Sequence, residues 1–294
     1  MVWRGALVVA AALAATVAAW SQSAELAVSE LLFHPSSGEA EYVELRNTTD
    51  TSLDLASYRL VRVLADTLGR HYQLPSHTVP PGGYVVLTRD AASVAGCFRV
   101  LYSDRLLECQ LPPFPDGGGS VVVARADSSI VDRLDYAPSM HSQLLRNKAG
   151  VSLERRSFAK ATNAPGNWFS ASSTSGYGTP GYENSQSDEL LAEAVSFVPS
   201  AKVIVPGEEE LAVAYVLDRS DLAARAEVYS RDGRVVRRLL NGGLMGAAGS
   251  VEWDGRGEDG TRLPQGQYLL QVTLYDLHGT TQRLRFVVAL AGGL

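Results

Sequence analysis

Three sets of residues in this 294-residue chain have types and spacings that could do chemistry. Asp254, Glu258 and Asp259 lie among glycines in Asp254-Gly255-Arg256-Gly257-Glu258-Asp259-Gly260. Hard carboxylate oxygens on a backbone free to wrap are what a calcium ion requires. The run lacks EF-hand spacing, and Asp-Gly turns explain it without a cation, so no metal or other cofactor is expected. Cys97 and Cys109 are the only two cysteines. Two thiols alone make a poor metal site, and in an oxidising compartment they are expected to pair as a disulfide, with a buried free pair as the alternative. The aromatics Trp168, Phe169, Tyr177 and Tyr182 sit in a Ser/Gly/Asn-rich stretch. They could stack on sugar rings or pack over the end of a sandwich.

No set of residues reads as catalytic. A nucleophilic site needs Ser, Cys or Thr beside a base and an orienting group. The five histidines, His34, His71, His77, His141 and His278, accompany no Gly-x-Ser-x-Gly. Gly117-Gly118-Gly119 is followed by no Lys-Ser or Lys-Thr, which makes it a turn and not a phosphate cradle. Glu41 and Glu44 are an odd number of residues apart, on opposite faces of a strand, and so do not form an acid-base pair. The chain is expected not to be an enzyme. A net charge of −6 with mixed signs excludes the basic footprint of a nucleic-acid binder. Arg231, Arg234, Arg237 and Arg238 read as one solvated strand pair.

The elements around these residues are strands. Leu26 to Phe33, Glu41 to Arg46, Ser57 to Leu64, Tyr84 to Thr88, Ser120 to Arg125, Ile130 to Tyr136 and Val151 to Arg155 are apolar or alternating runs broken by Pro, Gly and Asn turns. Asp90 is placed to cap one helical turn through Val94. Further on, Leu211 to Leu217, Arg225 to Ser230, Val235 to Leu240, Tyr268 to Tyr275 and Arg283 to Val288 alternate in the same way, with the hairpin signal Asp232-Gly233 between two of them. Strands at this spacing predict an all-β chain of two immunoglobulin-like β-sandwich domains. Residues 1–23 read as a signal peptide, with Arg4, an apolar run and small residues before a cleavage point after Ser21 or Ser23. Residues 25–185 form the first sandwich. Residues 186–195 form a linker with a helical turn capped by Ser187 or Asp188, and residues 196–290 the second sandwich. No membrane span is expected in the mature chain, because no later segment has the roughly 20 apolar residues a span needs.

Specific motifs add to this pattern. Ser29-Glu30-Leu31-Leu32-Phe33-His34-Pro35, Glu41-Tyr42-Val43-Glu44-Leu45-Arg46-Asn47, Pro80-Pro81-Gly82-Gly83-Tyr84 and Gly150-Val151-Ser152-Leu153-Glu154-Arg155 resemble the lamin tail domain in its bacterial exported form. Val228-Tyr229-Ser230-Arg231-Asp232-Gly233-Arg234, Trp253-Asp254-Gly255 and Leu263-Pro264-Gln265-Gly266-Gln267-Tyr268 resemble the immunoglobulin-like domain of the hook-capping protein FlgD. The resemblance implies a non-catalytic structural or interaction protein of the bacterial cell envelope, binding an envelope or surface protein or a glycan. It implies residence in the periplasm, at the outer membrane or outside the cell. The alternative is a type IX secretion cargo, since C-terminal sorting sandwiches carry a similar order of Tyr, Asp-Gly-Arg and Leu-Pro-x-Gly-x-Tyr.

Overall fold

A computed structural model describes residues 24–64 and 67–292; residues 1–23, read above as a signal peptide, lie outside the described residues. In chain order the first half contains β1 (Leu26–Leu32), β2 (Tyr42–Asn47), β3 (Leu53–Asp54), β4 (Tyr58–Leu64), β5 (Thr67–Gln73), β6 (Thr78–Val79) and β7 (Tyr84–Thr88). The short helix α1 (Ala91–Cys97) follows, then β8 (Leu106–Glu108), β9 (Gly119–Arg125), β10 (Ile130–Tyr136), β11 (Leu153–Arg155) and β12 (Trp168–Ser170). The second half contains β13 (Ser196–Pro199), β14 (Val203–Ile204), β15 (Leu211–Val216), β16 (Ala223–Tyr229), β17 (Val235–Leu244), β18 (Ala248–Trp253), β19 (Gly266–Tyr275) and β20 (Thr281–Leu290). The chain is all-β, in two sandwiches.

In the first sandwich a six-stranded sheet, ordered β12-β11-β1-β2-β7-β8, faces a four-stranded sheet, ordered β10-β9-β4-β5. Side chains alternate along a strand, so every second residue meets the other sheet. Leu31, Val43, Leu45, Val85 and Leu153 from one sheet pack with Leu60, Val121, Val123 and Leu134 from the other. Burying each such side chain is worth about 1.5–3 kcal/mol. The strand β1 is buried along its whole length, because its second face is covered as well. That outer face supports Leu32, Tyr42, Val86, Val94 and Phe98, which join α1 to the sheet. Asp90 caps α1 by accepting the Ser93 N–H at 2.9 Å, and the helix runs past Val94 to Cys97.

The second sandwich packs β13-β15-β18 on β14-β20-β19-β16-β17. Leu211, Val213, Tyr215, Val251 and Trp253 meet Ala226, Val228, Leu270, Val272 and Val288. Asp232-Gly233 makes the β16–β17 turn, where Gly233 has φ of 81° and donates its N–H to the Ser230 carbonyl at 2.9 Å. Between the sandwiches a single 3-10 turn, Asp188–Leu190, is capped by the Ser187 hydroxyl. The sequence reading missed β5, which is exposed along most of its length and shows no apolar alternation.

Candidate functional site: buried carboxylates beneath a closing segment

Three glutamates fall in one row on the outer face of the six-stranded sheet. Glu30 on β1 is the register partner of Glu154 on β11 and of Glu44 on β2, and all three are completely buried. Strands lie about 4.8 Å apart, so neighbouring carboxyls share one polar layer. The segment 177–187 covers them. Gly178 allows its close approach, because a Cβ there would stand 2.7 Å from the Phe98 ring and 2.8 Å from the Tyr42 hydroxyl.

This segment donates to the carboxyls from backbone and side chain alike. Glu30 Oε1 accepts the Tyr42 hydroxyl at 2.8 Å, the Thr179 N–H at 2.9 Å and the Ser152 hydroxyl. Glu44 Oε2 accepts the Gly181 N–H at 2.6 Å. Glu154 Oε2 accepts the Ser185 hydroxyl at 2.8 Å and the Gln186 N–H at 2.9 Å. Thr179 Oγ1 lies 3.2 Å from Glu30 Oε2 and 2.9 Å from Glu154 Oε1. A hydroxyl has one proton to give, so one of these two contacts requires a carboxyl O–H donating to the threonine oxygen. The three saturated contacts on Glu30 Oε1 suit the anion, which places the shared proton on Glu154. Burial raises all three carboxyls, and the charge of Glu30 raises Glu154 and Glu44 further. Glu154 is pushed up to about 8 and Glu44 goes well above the ordinary range. The arrangement holds protons at neutral pH, and deprotonation would set like charges side by side without a cation between them.

The same segment binds the second sandwich. The Ser185 carbonyl accepts the Ala247 N–H at 2.7 Å, and Gln186 Nε2 donates to the Met245 carbonyl at 3.0 Å. Beside them Ser173 Oγ donates to the Leu244 carbonyl at 2.8 Å, and Thr174 Oγ1 lies 2.7 Å from the Tyr215 hydroxyl. An unbroken chain of bonds thus runs from Glu30 through Thr179, Glu154 and Ser185 to the β17–β18 connection.

Of the residues singled out from the sequence, only Tyr177 and Tyr182 lie at this site. The acids of the glycine-rich run are spent on backbone amides: Asp254 Oδ1 accepts the Arg256 N–H and Asp259 Oδ1 the Thr261 N–H in local turns, while Glu258 Oε2 accepts the Arg238 N–H of β17. Among the described residues no group of three His, Cys, Asp or Glu side chains could hold a metal ion. The expected disulfide is absent: Cys97 is exposed at the end of α1, whereas Cys109 turns inward against the core, and both thiols are free. Burial pushes the Cys109 thiol up to about 11. The four aromatics do not form one platform. Trp168 is buried in the main core with its indole N–H on the Thr162 carbonyl, and Phe169 points to the other face of β12. Tyr177 and Tyr182 belong to the segment over the glutamates, where the Tyr177 carbonyl accepts the Ser152 N–H. Sequence reasoning missed Glu30, Glu44 and Glu154 as a group. Their signal was a glutamate at the centre of each of three apolar strand runs.

This geometry defines a class: two sandwiches whose buried polar groups fasten one to the other. Comparison with known families finds two separate domain matches. A family model of the lamin tail domain matches residues 20–138, and a model of the FlgD Ig-like domain matches residues 200–277. One match thus falls on each sandwich, and the first sheet continues beyond the residues matched by the lamin tail model through β11 and β12. Among solved structures, FlgD from P. aeruginosa is 24% identical over 34% of this chain and 76% of its own, with a TM-score of 0.26. FlgD from Xanthomonas campestris is 24% identical over 34% of this chain and 72% of its own, at 0.25. Dimeric latent PorU from Porphyromonas gingivalis is 11% identical over 86% of this chain but only 18% of its own, at 0.28. No curated protein matches the chain.

Proposed function

We propose that the protein is a non-catalytic, exported structural or interaction component of the bacterial cell envelope, which presents a protein or glycan partner with two sandwiches held as one unit. The observation that carries this reading is the continuous polar fastening from Glu30 to Ala247, in which the buried Glu30 and Glu154 hold the segment that joins the domains. Both families are binding or structural folds. The test is crosslinking in intact cells with tagged full-length protein, followed by mass spectrometry. Recovery of defined envelope partners supports the reading, and a protein found only alone, in any compartment, counts against it.

A second reading, a type IX cargo, rests on Leu263-Pro264-Gln265-Gly266-Gln267-Tyr268, which closes on itself through the Tyr268 hydroxyl and the Pro264 carbonyl at 2.8 Å. It requires that deleting residues 196–294 trap the first sandwich in the periplasm. Unchanged surface display after that deletion removes it.

A further inference from the structure

A cleft of about 460 Å³ opens between the sandwiches, walled by the chain around β12 on one side and by Asp221 and Leu277 on the other. That volume lies within the usual range for small-molecule sites, which favour domain junctions. Four features converge on it. His141 lines it and is 3% exposed. Its Nδ1 is 2.8 Å from Ser170 Oγ, which accepts the Ser142 N–H. Whichever of the two carries the proton between them, Nε2 is buried and has no partner among the described residues. A buried polar nitrogen without a partner is rare in a finished fold.

Asp221, opposite, holds φ of 67° in a bend, a left-handed conformation that aspartate adopts more readily than most residues. Leu277 is 54% exposed on the β19–β20 turn, and Phe169 offers a half-buried aromatic ring. Lastly, among the described residues no Lys or Arg lines the cleft, and Lys148 nearby is tied to the Pro138 carbonyl at 3.0 Å. An anionic ligand would face Asp221 with no lining cation to offset it. A ligand with an apolar ring face and neutral hydroxyls would find Phe169 and Leu277 for the one, and Asp221, Gln143 and the His141 edge for the other.

We infer that this cleft binds a neutral oligosaccharide. The inference rests on the interaction role proposed above and names the chemistry of its partner.

Calorimetric titration of the purified protein with maltotetraose, cellotetraose and chitotetraose, and with trigalacturonate as a charged control, tests it. At least one neutral tetrasaccharide should bind saturably and more tightly than trigalacturonate. Phe169→Ala and Asp221→Asn should each weaken that binding tenfold or more. Leu277→Asp, on an exposed turn where folding is not at stake, should do the same. No saturable binding by any neutral probe, or affinities within twofold of the parent in all three variants, would overturn it. A photocrosslinker at position 277 separates this inference from the broader one. Crosslinks to a polypeptide without sugar binding sink the oligosaccharide and keep the interaction role, whereas neither crosslinks nor binding sinks both.

Discussion

Glu30 and Glu154 face each other across β1 and β11, both fully buried, with the Thr179 hydroxyl between their carboxyls. Neither has a cation beside it, and the pair is satisfied only while a proton is shared. A contact of this kind stabilises the fold only at a pH where that proton is present.

Raising pH should therefore loosen this protein. A glutamate whose folded pKa is raised keeps a proton that the unfolded chain has already lost. Its stabilisation is complete below the ordinary value of 4.5 and is lost as pH climbs through about 8. Each unit of that shift is worth about 1.4 kcal/mol, so the loss should reach a few kcal/mol. Glu154→Gln mimics the protonated acid: its carbonyl can accept from Ser185 and Gln186 while its amide donates to Thr179. Melting temperatures of the parent should fall steadily from pH 5 to pH 9, and those of Glu154→Gln should fall less. A parent curve that is flat or rises across that interval sinks the argument.

Gly246 tests the other end of the chain of bonds. A Cβ there would meet the Ser185 carbonyl at 2.8 Å and the Ala248 carbonyl at 3.2 Å, both backbone and unable to swing aside. Gly246→Ala should cost about 1–3 kcal/mol, the usual penalty of overpacking. Because the strain falls where the sandwiches join, one melting transition should split into two in calorimetry. A single transition at the parental temperature would mean that the junction does not couple them.

Both sandwiches could be read from the sequence because alternation at period two survives in strands with one wet or loosely covered face, as in Leu211 to Val216 and Tyr268 to Tyr275. The glutamate row could not. In a lone strand, Glu44 between Val43 and Leu45 reads as the outward residue of a half-buried sheet, and it does point away from the main core. What buries it is the segment 177–187, whose Ser, Thr, Gly and Asn composition signals a loop and whose contact with Glu44 is 137 residues distant in sequence. Burial by a loop leaves no periodicity to detect. The expected Cys97–Cys109 bridge likewise rested on an oxidising compartment and a count of two cysteines, which say nothing of how β8 ends by turning Cys109 toward the core.

The free thiols carry their own expectation. Cys97 should react with Ellman's reagent at once in the native protein, and Cys109 only on unfolding, since it is half-buried and its thiolate disfavoured. Two thiols should be counted in denaturant without reductant. Finding none would restore the disulfide and require the end of α1 to move.

Asp132 offers the sharpest test of the first sandwich. The β10 register shifts between Ile130 and Asp132, a bulge that turns this acid into the interior, where its side chain is 5% exposed. There it accepts the Val28 N–H at 2.8 Å and faces Arg155 Nη1 at 3.3 Å, tying the four-stranded sheet to the six-stranded one by a contact outside either ladder. Removing one partner of a buried ion pair strands the other charge, typically at a cost of 3–5 kcal/mol. Asp132→Asn should lose about that much in urea unfolding, because Arg155 is 1% exposed and keeps only carbonyl partners and the Phe158 ring. Arg155→Met should lose less, since Asp132 retains the Val28 and Arg133 N–H groups and the Thr162 hydroxyl. If the asparagine variant falls within about 1 kcal/mol of the parent, or if the methionine variant is the weaker of the two, the pair does not hold the sheets together and the core alone does.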